Sequence, residues 1–138
     1  MKTGIIAIIS LALVLLIASC SDDAKMEFNR YYANGSAVYQ QHCQNCHGTK
    51  GEGLQGLMPP LSDSSYLTTN KSKLACFIKN GLKEKITISN KKFESEMPAS
   101  SLAPVEIAQV LTYITNSFGN KLGTFTTEDV NADLSKCN

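Results

Sequence analysis

Residues 39 to 48 read YQQHCQNCHG, and within them Cys43-Gln44-Asn45-Cys46-His47 constrains the chain more than any other segment. Two thiols two residues apart, with an imidazole directly behind the second, serve three chemistries: a structural zinc ion, a dithiol redox couple, or covalent attachment of a haem. Each makes a different demand on the remaining residues. A structural zinc site takes four nitrogen or sulfur ligands, typically as two close pairs; the other cysteines, Cys20, Cys76 and Cys137, are scattered, and there is no second CxxC and no HxxxH. A thioredoxin-like site wants its CxxC within an alternating βαβ pattern, and none is visible around residue 43.

For haem the spacing has a direct reason. Two thiols on one helical turn reach the two vinyl groups of a single macrocycle, and His47 then stands where it can ligate the iron; C-x-x-C-H reads as c-type haem attachment. Methionine with histidine is a standard haem ligand pair that raises the potential, so the four methionines are the candidates for the sixth ligand. Met1 falls in the leader and Met26 in the segment after it. Met58 follows His47 by only 11 residues, a short connection for carrying the chain around the edge of a porphyrin to its opposite face. Met97 follows by 50, with helical sequence between, and Pro98 behind it favours an extended backbone. The expected iron ligands are therefore His47 and Met97, with Cys43 and Cys46 as thioether positions and a single haem c as cofactor. His42, just before the motif, is read as a surface residue.

The chain opens with Lys2 and an apolar run from Ile5 to Ala18 that ends in small residues before Cys20, the pattern of a secretion signal. The run falls short of the roughly 20 apolar residues a bilayer span needs. Ile17-Ala18-Ser19-Cys20 resembles the lipobox of bacterial lipoproteins, which implies cleavage before Cys20 and lipidation of that residue. Acyl chains contribute about 0.8 kcal/mol per buried CH2, so several anchor stably where one is marginal. Residues 1–19 are thus expected to form a lipoprotein signal peptide, and 20–34, polar and acidic at its start, a lipidated tether. The expected location is a bacterial membrane, facing the periplasm; Ser21-Asp22-Asp23 also resembles an acidic stretch that directs some lipoproteins to the cell surface.

Lys2 is the only charged residue of the signal, so its loss leaves 12 acidic residues matched by as many basic ones. A neutral chain gives no bulk attraction to nucleic acid. The remaining length suits one domain, and a domain this small often depends on a cofactor, metal or disulfide. Export brings an oxidising compartment. With Cys20, Cys43 and Cys46 assigned, Cys76 and Cys137 remain. A bridge between them would tie the C-terminal tail to the body; two separate thiols are the alternative, because a disulfide needs Cα atoms within roughly 4.4–6.8 Å.

Between Pro104 and Phe118, the apolar residues Ile107, Val110, Leu111, Ile114 and Phe118 recur at intervals of three and four, the stripe of a helix buried on one face. Pro104 suits its first turn and Gly119 its end. From Ser72 to Asn80, Leu74, Phe77 and Ile78 share a side, with Gly81 as the stop. Gly48, Gly51, Gly53 and Gly56 exclude regular structure after the motif and let backbone approach a cofactor closely.

Taken in order, CQNCHGTKGEGLQGLMPPLSDSSYL, LACFIKNGL, EMPASSL and EIAQVLTYITNSFGN resemble a class I cytochrome c of the bacterial monohaem group, over roughly residues 35 to 130. The resemblance implies an all-α, cytochrome c-like fold: a few helices wrapped around one covalently attached haem, the haem domain spanning 35–119 and a C-terminal extension over 120–138 packing on it. It implies that Gly35 and Tyr39 lie where the N-terminal helix crosses the C-terminal one, against Val110 and Tyr113. It further implies that Pro60 supplies the carbonyl accepting from the outer nitrogen of His47, a bond of the kind that fixes ring orientation and ligand basicity. Members of the group often carry a Thr or Ser cap before the last helix; Leu102-Ala103-Pro104-Val105 stands here instead, so the cap is expected from backbone or water.

Six ligands leave no open position on the iron. The expected function is outer-sphere transfer of single electrons between respiratory-chain partners, such as a quinol-oxidising complex and a terminal oxidase or reductase, by a carrier rather than an enzyme, alone or within a larger oxidoreductase complex. Between Lys71 and Lys92, seven lysines accompany one acid, Glu84. They are a candidate docking face for an acidic partner; solvated lysines are the plain alternative. The rival function is a haem whose Met97 dissociates, giving a gas-binding sensor or a peroxidase-like module. A single CxxCH excludes a dihaem peroxidase, and no distal Arg/His pair is recognisable.

Overall fold

The computed structural model describes residues 23–137. The expected signal peptide and Cys20 lie outside the described residues. The chain divides into two compact units between Arg30 and Tyr31. In the first, residues 23–30 are helical and Met26 is exposed. The second carries every other element. It begins four residues ahead of the expected boundary at 35, and residues 31–34, read as tether, are helical. The reason is that Tyr31 is already buried, with its hydroxyl 2.9 Å from Thr127 Oγ1, while the Tyr32 hydroxyl lies 2.9 Å from Ser117 Oγ. Among the described residues no helix is long and apolar enough to cross a membrane.

Within the second unit, α1 covers 31–42, followed by α2 (Gln44–His47) and α3 (Ser64–Thr69). A 3-10 turn over Lys71–Lys73 leads into α4 (Leu74–Asn80); β1 (Ile86–Ile88) and β2 (Lys91–Phe93) precede α5 (Pro104–Ile114) and α6 (Thr127–Leu134). The fold is helical, as expected, with one addition. The strands form an antiparallel hairpin, Ile86 opposite Phe93 and Ile88 opposite Lys91. Its turn residues, Ser89 and Asn90, have φ of 49° and 62°, as a two-residue loop between twisted strands requires.

Helix α5 buries the predicted stripe: Ile107, Val110, Leu111 and Ile114 all face the core. It stops at Ile114, four residues before the expected end at Phe118. Thr115 Oγ1 donates to the Leu111 carbonyl at 2.7 Å and Asn116 Nδ2 to the Thr112 carbonyl at 2.7 Å. The Leu111 carbonyl keeps its helical bond from the Thr115 amide at 2.9 Å, whereas the Asn116 side chain takes the Thr112 carbonyl that a further turn would use while its backbone amide donates to Tyr113. At the other end, the Glu106 carboxylate accepts from the Ala103 N–H at 2.8 Å. This is the reciprocal half of a capping box; Ala103 itself offers no side-chain cap to the first-turn amides.

Gly35 sits at the helix crossing as expected, and the atoms nearest to it on α5 belong to Gln109 and Tyr113. A Cβ on Gly35 would overlap the Gln109 carbonyl and lie 2.9 Å from Tyr113 Cβ. Residues 109 and 113 are four apart and share a helix face; Val110 is fully buried in the same cluster as Tyr39. Tyr39 packs on Tyr113 with ring centroids 5.3 Å apart, and on Phe118 at 5.5 Å. Gly35→Ala is expected to force the helices apart and lower stability by roughly 1–3 kcal/mol, the usual range for overpacking. Denaturant unfolding of the holoprotein checks this, and an unchanged midpoint would mean that α1 and α5 separate freely.

Beyond α5, Phe125 and Val130 bury the C-terminal extension in the same core. Cys76 on α4 and Cys137 are joined by a disulfide, Cα atoms 5.6 Å apart, so the two do not stand as separate thiols. Buried Asn120 links three segments: it donates to the carbonyls of Leu61 at 2.8 Å and Ile114 at 3.0 Å, and accepts from Ser64 Oγ at 2.7 Å.

Candidate cofactor site

Helix α2 is a single turn that gathers the CxxCH side chains. The amides of Cys46 and His47 both donate to the Cys43 carbonyl, at 3.1 and 2.9 Å. The turn is held from behind by Tyr39, whose hydroxyl donates to the Gly48 carbonyl at 2.6 Å. Burial, reinforced by Cys43, pushes the Tyr39 phenol well above its ordinary value, so it stays a neutral donor. Burial also pushes the Cys43 thiol up, to about 11, with Cys46 adding to the shift. Among the described residues, no group of three His, Cys, Asp or Glu side chains is gathered that could hold a metal ion by itself.

His47 Nδ1 lies 3.1 Å from the Pro59 carbonyl. A carbonyl only accepts, so Nδ1 carries the proton and Nε2 keeps its lone pair. Burial lowers the imidazole pKa and the Pro59 bond opposes this; the neutral ring is the form a metal ligand requires. The accepting carbonyl is thus that of Pro59 and not of Pro60. In extended backbone, successive carbonyls point to opposite sides, so only one of two adjacent prolines can face the ring. Which one is decided by neighbouring bonds: Leu54 N to the Met58 carbonyl at 3.0 Å, and Leu61 N to the Gly51 carbonyl at 2.8 Å. Pro60 lines the cavity instead.

Met97 is placed by backbone pairing. It forms an antiparallel bridge with Leu82, through Leu82 N to Met97 O at 2.9 Å and Met97 N to Leu82 O at 2.8 Å. Gly81, with φ of 76°, ends α4 directly beside it; a Cβ there would overlap the Met97 carbonyl. No side chain at position 81 could sit so close.

These segments converge on one cavity of about 350 Å3 whose wall includes Cys43, Cys46, His47 and Met97. Its volume falls in the roughly 300–1,000 Å3 range of cofactor sites. Leu74, Phe77, Ile78 and Leu111 make the wall largely apolar. Met58 is not part of it; Met58 is held in its own bridge with Leu54. His42 is exposed and contributes to the lining. Ser100, on the same wall, has a buried hydroxyl with no partner among protein atoms. A buried donor without an acceptor costs free energy, and it fits a wall whose acceptor arrives with a cofactor. Two thiols, one neutral imidazole and one thioether on an apolar surface form the donor set that a covalently bound iron porphyrin requires.

Sequence reasoning missed four contributors to this site: Pro59, the Tyr39 hydroxyl, Leu82 and Asp63, which caps α3. Asp63-Ser64-Ser65 ahead of Tyr66 is a readable N-cap signal; Leu82 carries none. Of the lysines between 71 and 92, three are engaged within the chain. Lys71 lies 5.1 Å over the Phe125 ring, Lys79 donates to the Leu102 carbonyl at 3.1 Å, and Lys85 pairs with Glu94 at 2.8 Å.

Fold and cavity together define a small helical protein with one largely apolar cavity between a CxxCH turn and a returning methionine segment. The Cytochrome c family model matches residues 32–117, more than half of the chain, and the chain belongs to that family. The family binds covalently attached haem c, and the chain is a haem-based electron carrier. No curated protein matches it.

Proposed function

We propose that the chain is a class I, monohaem cytochrome c with His47 and Met97 as iron ligands, tethered to a bacterial membrane through lipidated Cys20 and facing the periplasm. It would pass single electrons between respiratory-chain partners, a quinol-oxidising complex on one side and a terminal oxidase or reductase on the other. The observation that carries this reading is the cavity shared by His47, Met97, Cys43 and Cys46.

Haem supplies the one-electron Fe(III)/Fe(II) couple. Cys43 and Cys46 hold the macrocycle through thioether bonds. His47, oriented by Pro59, offers Nε2, and Met97 offers a soft sulfur that favours the reduced state. Leu74, Ile78 and Leu111 exclude water and disfavour the extra positive charge of the oxidised state. Both ligand-bearing segments are tied by backbone hydrogen bonds, so little rearranges as an electron moves. The exposed Lys73, Lys83, Lys91 and Lys92 suit an acidic partner, steering its approach.

Exposure of the reduced holoprotein to carbon monoxide tests the reading. The expected spectrum is unchanged. Prompt gas binding would overturn the carrier reading in favour of a sensing or peroxidase-like module with a dissociable Met97.

A further inference from the structure

Chain leaving α4 makes an excursion before it reaches Met97. The Leu82–Met97 bridge closes this excursion at its base, and the hairpin of β1 and β2 lies within it. Ile86 and Ile88 of the hairpin face the cofactor cavity. Ile88 and Phe93 are buried, yet they stand outside the main hydrophobic cluster. Helices α4, α5 and α6 pack on one another, whereas neither strand packs extensively on a helix. The hairpin is therefore a small separate layer laid against the cavity.

Between the hairpin tip and α3 runs a polar cleft, lined by Tyr66, Thr69, Thr87 and Asn90 among others. One hydrogen bond crosses from the tip to the body: Ser89 Oγ donates to Asp63 Oδ2 at 2.6 Å. The other oxygen of the same carboxylate, Oδ1, accepts from the Tyr66 amide at 2.9 Å and caps α3. Ser89 and Tyr66 together hold the Asp63 carboxyl below its ordinary range, so it presents an anion to both donors. Hydrogen bonds to an ionised acceptor are the short, strong ones. Ser89 has φ of 49°, a conformation that glycine adopts freely and serine does not. A serine at this position is accounted for by its hydroxyl.

We propose that Asp63 and Ser89 form a latch that positions Met97: by holding the hairpin tip to α3, the pair sets how firmly the segment returning to Met97 is kept against the cofactor. The proposal rests on Met97 being the distal ligand. Asp63 and Ser89 are positioning residues, acting through the hairpin.

The test uses the oxidised holoprotein and imidazole, which binds iron by displacing a weak ligand. Loss of one such hydrogen bond predicts a roughly three- to tenfold gain in imidazole affinity for Ser89→Ala. Asp63→Ala should gain at least as much, since it also loses the α3 cap, and the double variant should gain no more than Asp63→Ala. Hydrogen exchange of the amides over 86–93 should quicken in Ser89→Ala while α5 stays at the wild-type rate. Met97→Ala, measured in parallel, separates the two readings. If it raises imidazole affinity and Ser89→Ala does not, the latch is wrong and the ligand assignment stands. If Met97→Ala itself leaves affinity unchanged, the ligand assignment fails and the latch falls with it. Faster hairpin exchange with unaltered imidazole affinity also overturns the proposal, because the hairpin would then move without Met97.

Discussion

Met97→Ala is expected to abolish the sulfur-to-iron charge-transfer band of the oxidised holoprotein and to turn a carbon-monoxide-inert reduced iron into one that binds the gas stoichiometrically. The substitution is clean because Met97 is placed by its backbone. Both bonds to Leu82 use main-chain atoms, and alanine keeps them. What is lost is the thioether and the packing of a half-buried side chain. Truncating a fully buried methionine to alanine costs about 2–5 kcal/mol, so the loss here should fall at or below the low end. Cys43 caps α2, which carries Cys46 and His47, and all three keep their positions. Met58→Ala is the control. Met58 bridges Leu54 away from the cavity, and its loss should leave both spectra as in the wild type. A Met97→Ala protein that retains the band would move the ligand elsewhere.

The second large effect is on stability. Replacing Cys76 and Cys137 together by alanine is expected to cost about 4 kcal/mol, the loop-closure value for a bridge spanning this length of chain. The two cysteines are 61 residues apart, a span that includes the hairpin, Met97, α5 and α6. Opening the bridge therefore releases most of the methionine half of the molecule in the unfolded state. The folded state should change little, since Phe125 and Val130 still bury the extension. Guanidinium unfolding of the oxidised holoprotein should show an earlier midpoint. Coincident curves would mean that the bridge restrains little in the unfolded chain.

The functional residues were legible in the sequence to the extent that their chemistry depends on short-range spacing. Cys43, Cys46 and His47 fall within one turn, and a five-residue motif describes that turn completely. Ile107, Val110, Leu111 and Ile114 announce α5 because a buried helix face repeats at three and four. Met97 could be separated from Met58 by the reach of the chain alone. What escaped depends on choices between near-equivalent neighbours. Pro59 and Pro60 have the same side chain, and only the bonds of Leu54 to Met58 and of Leu61 to Gly51 turn one carbonyl to His47. The hairpin has strands of three residues, too short for an alternating pattern, and its Ser89-Asn90 turn contains no glycine to mark it. The end of α5 was lost to Asn116, whose side chain binds the Thr112 carbonyl that a longer helix would have used. Tyr31 and Tyr32 were hidden in a segment whose early acidic residues read as tether.

The disposition of Met97 toward the haem is the point on which the account turns, and proton NMR of the reduced wild-type holoprotein with its methionine methyl groups labelled reads it directly. A methyl held over the macrocycle experiences the ring current and moves far upfield. The prediction is one strongly shifted methyl, lost in Met97→Ala and kept in Met58→Ala. All methyls at ordinary positions, or a shifted one that survives Met97→Ala, would contradict the His47 and Met97 assignment.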